Sequence, residues 1–201
     1  GEHAASAVEA AFLIADRSRG HVEGVHITGD RVLTMPRIVE GMSESQVMRE
    51  FQAMRDRLET NERVSMGLFY DACGRHGAKL LADPSPMDGV NASYSVIGGR
   101  PEEVLPERVR VHDVLISSTA GPGAGQSALA AVEQTIFASG RPVMMVPREV
   151  PTTIGQHVLI AWNNSALAAR AVMAAMPVIR SAAKVTICHV DTRAKPGPAA
   201  K

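Results

Sequence analysis

One pattern recurs in this chain and limits its fold more than any single motif. An alanine-rich helical stretch, Ala4 to Arg17, runs into Val22-Glu-Gly-Val-His26-Ile27. At an offset of 163 residues a second stretch, Ala166 to Arg180, runs into Val185-Thr-Ile-Cys-His189-Val190. Arg17-Ser18 then falls on Arg180-Ser181, Val22 on Val185 and His26 on His189. The second copy is preceded by Val158-Leu-Ile-Ala-Trp162, a buried-strand run ending in Asn163-Asn164-Ser165, whereas the matching strand of the first copy would precede Gly1. A repeated helix–strand unit predicts two related α/β domains in tandem. The expectation is a longer protein, its first domain lacking the opening strand and its second incomplete.

Composition narrows the class. Apolar residues make up 45% of the 201, and Lys plus Arg balance Asp plus Glu at 21 each. Such a chain can bury a core but presents no overall field toward nucleic acid. No apolar run approaches the roughly 18–20 residues of a membrane span. Cys73 and Cys188 fit neither a CxxC nor a zinc-ligand spacing, so they read as buried, reduced thiols in a cytoplasmic protein.

Along the chain, Val8, Ala11, Phe12 and Ala15 mark one buried helical face, and Gly20 can end that helix. Val22 to Ile27 reads as a strand. Ser43 and Gln46 form a capping-box pattern ahead of an apolar stripe at Val47, Phe51, Met54 and Leu58. Phe69, Ala72, Cys73 and His76 keep helical spacing up to Gly77. Ala92, Tyr94 and Val96 alternate with serines, a strand with one covered face. Pro101-Glu102-Glu103 opens a helix that Pro106 shortens or kinks.

Val114-Leu-Ile116 is a buried strand leading into the small-residue loop Ser117 to Gly125. Leu129, Val132 and Ile136 mark the next helix, ended at Ser139-Gly140, and Val143–Val146 is a strand bracketed by Pro142 and Pro147. Alternating helices and strands imply parallel strands, right-handed crossovers and helices on both faces. The predicted architecture is an open, doubly wound α/β sheet. Its first domain spans 1–147, a linker 148–156, and the start of the second domain 157–201.

Five segments then carry a resemblance by their order and spacing. They are Val25-His26-Ile27, Gly98-Gly99-Arg-Pro-Glu-Glu103, His112-Asp113-Val-Leu-Ile116, Ser139-Gly140-Arg-Pro142-Val-Met-Met-Val146 and Val158-Leu-Ile-Ala-Trp162-Asn-Asn-Ser165. Together they resemble the universal stress protein family, and in particular its tandem-domain proteobacterial members, which have a Trp-Asn-x-Ser turn. The resemblance covers nearly the whole chain, most weakly at 31–90. It implies an adenine nucleotide alpha hydrolase-like parallel sheet of five strands in the order 3-2-1-4-5, a cytoplasmic stress-response role and a homodimer. The dimer would pair through the last strand, Val143–Val146, an edge whose unpaired backbone invites such pairing. In that order the strand expected before Gly1 is the central one. Residues ahead of Gly1, or another strand such as Val158–Trp162, must then fill its place.

Open parallel sheets bind ligands beyond the carboxyl ends of their strands. The resemblance implies a particular phosphate loop there: ATP-binding members carry Gly-x-x-Gly, nine residues, then Gly-Ser/Thr, whose glycines bring backbone N–H groups close to the phosphates. In this chain Ser117 and Ala120 stand at the leading glycines, and Leu129-Ala130 stands near the Gly-Ser pair. Gly121, Gly123 and Gly125 keep the loop flexible while Ser117, Ser118 and Thr119 offer hydroxyls to an anion; a plain glycine linker is the other reading. Asn163 stands where those members usually place an Asp that helps hold the nucleotide, with Ser165 beside it. A turn or helix N-cap explains the same residues.

His26 and His189 occupy matching strands, but matching positions do not imply a metal pair. No triad order, paired carboxylates or metalloprotease pattern stands out. The reading is a non-catalytic binding or interaction module, with no cofactor and no membrane or nucleic-acid partner. The alternative is a stress sensor that binds ATP or AMP and hydrolyses it slowly.

Overall fold

A computed structural model describes residues 4–28, 42–82, 89–119 and 126–189. The chain divides into two compact units, Gly1–Pro151 and Thr152–Lys201. In the first, α1 (Ala4–Ser18) and β1 (His21–Thr28) lead to α2 (Glu44–His76) and the short β2 (Lys79–Leu80). After them come β3 (Asn91–Gly98), α3 (Pro101–Val109), β4 (Leu115–Ser118), α4 (Gln126–Ala138) and β5 (Val143–Val146). The second unit holds β6 (His157–Trp162), α5 (Ala166–Arg180) and β7 (Lys184–His189). This is the alternation that the hydrophobic periodicity predicts, with β2 added.

Local chemistry sets the ends. α1 stops at Arg19, which takes the left-handed conformation (φ 53°), so Arg19 rather than Gly20 makes the turn. Gly20 N–H closes it on the Ala15 carbonyl at 3.1 Å. Ser43 and Gln46 form the predicted capping box, Gln46 Oε1 accepting from Ser43 N–H at 2.8 Å. At the far end Gly77 (φ 60°) caps α2 in the left-handed conformation that a side chain would strain. Between these signals runs one continuous helix of 33 residues, where the apolar pattern shows two separate stretches.

The main core lies between α1, α2 and the β1–β3 pair. Phe12 and Ala15 meet Val22, Phe69, Ala72, Cys73, Val90 and Ala92. Burying rings as fully as Phe12 and Phe69 stabilises the fold by roughly 1.5–3 kcal/mol each. Gly24 permits the closest approach, since a Cβ there would lie 2.7 Å from the Phe69 ring and 2.8 Å from that of Tyr94. A second buried group, Val109, Ala131, Val132, Thr135 and Val146, occupies the region where α3 packs on α4 and α4 on β5. Ser6 and Ala10, fully buried, lie across the helix from Phe12 and Ala15, and α1 also packs on β4 and β5.

Among the described residues every strand pairing is parallel. β1 and β2 flank β3, with His21 opposite Asn91 and Lys79 also opposite Asn91; β4 pairs with β5, and β6 with β7. Among the described residues the first unit thus holds two parallel pieces, β1-β3-β2 and β4-β5, each shorter than the expected sheet of order 3-2-1-4-5. The split falls between β1 and β4, the strands that a central strand would join, and neither pairs across it among the described residues. Within the second unit Val158–Trp162 lies in β6 and pairs with β7, Val158 standing opposite Val185. The second unit has no buried residue in α5, and Cys188 on β7 is exposed rather than buried. A single β-α-β turn has too little second layer to cover its own faces.

Candidate functional site

The predicted anion-binding hydroxyls lie at the carboxyl end of β4. Ser117 stands opposite Met145 and Ser118 opposite Val146. Thr119 N–H continues the ladder one residue past the strand by donating to the Val146 carbonyl at 2.7 Å. Ser117 and Ser118 are half-buried and Thr119 is exposed. Side chains alternate along an extended strand, so Ser117 and Thr119 lie on one side and Ser118 on the other. Ser117 Oγ donates to the Ser118 carbonyl at 3.4 Å. Gly121, Gly123 and Gly125 fall outside the described residues. Leu129 sits one turn inside α4 and is 46% exposed. The free N–H groups of a helix belong to its first turn, so the start of α4, and not Leu129, faces the loop.

Asn163 and Ser165 form a turn in the second unit. Asn163 Oδ1 accepts from Ser165 N–H at 3.2 Å and from Ser165 Oγ at 2.7 Å, while Ser165 Oγ accepts from Ala168 N–H at 3.1 Å. Asn164 adopts a left-handed φ of 60°. These bonds turn the chain from β6 into α5 and cap the helix.

Two ionic networks in the first unit escape a reading by sequence motif. On β1, His21 and Glu23 share one face with Asn91, Ser93 and Ser95 of β3. His21 Nδ1 meets Asn91 Oδ1, and its Nε2 meets Ser93 Oγ at 2.8 Å. The Glu23 side chain is only 5% exposed. It accepts from Ser95 Oγ at 2.8 Å and from Arg108 Nε at 3.1 Å to each oxygen, and Arg108 Nη2 also reaches it. His112 Nε2 lies 2.8 Å from the same carboxylate, and its Nδ1 lies 3.0 Å from the Arg108 carbonyl. Burial opposes ionisation of Glu23, but hydrogen bonds from Arg108 and Ser95 and the nearby positive charges outweigh it, holding the carboxyl below its ordinary range.

The second network ties the end of α2 to α1. His76 Nδ1 lies 2.6 Å from Asp16 and Nε2 lies 2.8 Å from Glu9, while Arg75 reaches Glu9 at 2.8 Å. The His76 ring stacks on Phe12 with centroids 5.3 Å apart. Both ring nitrogens face carboxylates, so only the imidazolium makes both bonds. Burial disfavours that charge, but the hydrogen bonds and charges of Glu9 and Asp16 overcome it and raise the His76 pKa. Glu9 is lowered in turn: burial opposes its charge, and Arg75 and His76 outweigh that opposition. His26, by contrast, is pushed down by burial.

The alternation of polar residues on β1 and β3 was the available signal for the first network. The β1–β3 register and the partners on α3 lie too far apart in sequence to be read from it.

Among the described residues no group of three His, Cys, Asp or Glu side chains could hold a metal ion. An open hollow of about 600 Å³, lined by Tyr70, Cys73, Gly74, Gly77, Ala78 and Leu80, lies near the amino end of β3. That is the wrong end of a parallel strand for the expected ligand, and none of the predicted site residues line it.

No family model matches the chain and no curated protein matches it. Among solved structures, one reported as a structure-based assignment of the biochemical function of hypothetical protein MJ0577 is similar at a TM-score of 0.37 and 16% identity, covering 64% of this chain and 76% of that one. A likeness this distant settles neither family nor function.

Proposed function

We propose that this chain is a non-catalytic binding or interaction module of the universal stress type, working in the cytoplasm as a homodimer. It is built on a doubly wound sheet of order 3-2-1-4-5 whose central place lies between β1 and β4. The order of its motifs supports the family, and the parallel β1–β3 and β4–β5 pairs support the sheet. α1 packs with α2 and α3 with α4, the grouping that crossovers on two faces produce. No described helix is long and apolar enough to cross a membrane.

One observation carries the non-catalytic reading. His21 and His76 each engage both ring nitrogens with side chains of other elements, and His112 engages Glu23 with one nitrogen and the Arg108 carbonyl of the preceding turn with the other. A histidine so committed must break a structural bond before it can take or give a proton to a substrate. The hydroxyls of Ser117 and Thr119 at the carboxyl end of β4 favour a second reading, a sensor that holds ATP or AMP along Ser117–Gly125.

Isothermal titration of the full chain with ATP and with AMP separates the two, alongside a check of denatured protein for retained nucleotide. No heat and no retained nucleotide is the expected result. Micromolar binding, about −8 kcal/mol, would overturn the first reading in favour of the second.

A further inference from the structure

α2 is far longer than the core it serves. At 1.5 Å per residue its 33 residues span about 50 Å. Its buried residues, Phe69, Ala72 and Cys73, all fall in the last two to three turns, and its contacts with α1, β1 and β3 centre on that end. From Glu44 to Leu68 no residue of α2 is buried.

That outlying half carries its own apolar line. Val47, Phe51, Met54 and Leu58 follow one another at steps of four, three and four, and each has intermediate exposure. Steps averaging 3.5 residues are the spacing of a coiled-coil seam, with Val47 and Met54 at d and Phe51 and Leu58 at a. Asn61 and Ser65 occupy the next two seam positions, so the apolar line stops before the fold's own core begins at Phe69. Phe51 and Phe69 lie about five turns apart, so the line prolongs the core-facing stripe of α2 beyond the fold's own core. Met48, at the flanking e position, is 64% exposed and widens it.

The charges beside the seam identify what fits it. Glu50 and Arg57 hold g positions, and Arg55 and Glu62 hold the e positions five residues after each. In two parallel, in-register helices, g of one helix faces the following e of the other. Glu50 then meets Arg55 of a second copy, and Arg57 meets Glu62 of that copy, in both directions. Glu50 and Arg55, both exposed, make the outer match, while Glu62 is half-buried and also lies near His26 and Tyr94 of its own chain. An antiparallel pairing that keeps the same core layers matches Glu50 with Arg57 and leaves Arg55 beside Met48. We infer that the outlying half of α2 docks on the same segment of a second copy of this chain, parallel and in register. This contact is independent of the β5-edge pairing proposed above.

The test uses the full chain and sedimentation equilibrium over a dilution series. Glu50→Arg places Arg against Arg on both sides of the seam and weakens self-association by roughly tenfold. The double variant Glu50→Arg with Arg55→Glu rebuilds the pair with reversed sign and recovers the original constant. Both positions are exposed on a helix, so neither variant threatens folding. Separately, in a Cys188→Ser background, Leu58→Cys cross-links to its own counterpart under mild oxidation, while Asp56→Cys on the outer face does not. Three results would each overturn the proposal: no change with Glu50→Arg, no recovery in the double variant, or equal cross-linking at positions 56 and 58.

Discussion

Arg108 on α3 grips Glu23 on β1 through both Nε and Nη2, against a carboxylate that is 5% exposed. This clasp fixes the amino-terminal half of β1 against the helix that follows β3. Arg108→Ala would leave a buried negative charge with only Ser95 and His112 to meet it. The expected loss is about 2 kcal/mol, since stranding one member of a buried pair costs more than the pair contributed. Urea denaturation measures it, and Glu23→Gln combined with Arg108→Ala should cost less than the single arginine change.

The His76 network makes stability fall with rising pH. A group whose folded pKa is raised contributes fully below its unfolded value and loses that contribution as pH climbs through the folded one. The ordinary imidazole value is 6.5, so the loss begins above it. Glu9 and Glu23 act in the opposite sense, their lowered pKa values withdrawing stability only as pH falls below the usual carboxylate range. Melting temperatures at pH 6 to 9 should therefore drop more steeply for the wild type than for His76→Gln. Parallel curves would show that the two carboxylates do not hold the imidazolium.

Gly24→Ala pushes a methyl group into the space between Phe69 and Tyr94. Both rings are already in contact, with centroids 5.4 Å apart, so neither can retreat freely. Overpacking of this kind costs about 1–3 kcal/mol, and a lowered melting temperature is the expected readout.

Ser165→Ala removes the cap of α5 and should destabilise the second unit by about 1 kcal/mol. Hydrogen exchange at the start of α5 reports it locally. If Ser165 serves the turn alone, the same change leaves any nucleotide titration unaltered.

Val143→Asp tests the β5 edge. Light scattering should show a smaller species if that strand pairs with a second copy, and an unchanged mass would remove that edge from the assembly. Because Val143 and Glu50 lie on different elements, the two variants report on the two contacts separately.

Much of the element order was legible because helix and strand periodicities are local. Ser43, Gln46 and Gly77 marked both ends of α2, yet the middle of that helix was obscured where Asn61, Glu62 and Ser65 interrupt the stripe. Helical backbone persists there because nothing between the caps breaks it. β2 was invisible: two residues with exposed side chains acquire strand character only from the start of β3. Sheet partition was equally hidden, since pairing depends on partners dozens of residues apart. At the candidate site, Asn163 and Ser165 showed their capping chemistry in sequence, because an N-cap acts over three residues. The Glu23 clasp did not show, because its partners come from β3, from α3 and from the turn after α3.

The length of α2 also bears on how fast the molecule assembles. β1 and β3 must find each other across 70 residues, as between His21 and Asn91. As loose chain, that loop would carry a large closure entropy. Helix formation is local and takes microseconds or less, and once α2 has formed, much of the loop is a rigid strut rather than coil. A helix-breaking change near Glu59, outside every buried contact, should therefore slow refolding while barely altering the unfolding rate, marking α2 as an early element of the folding route.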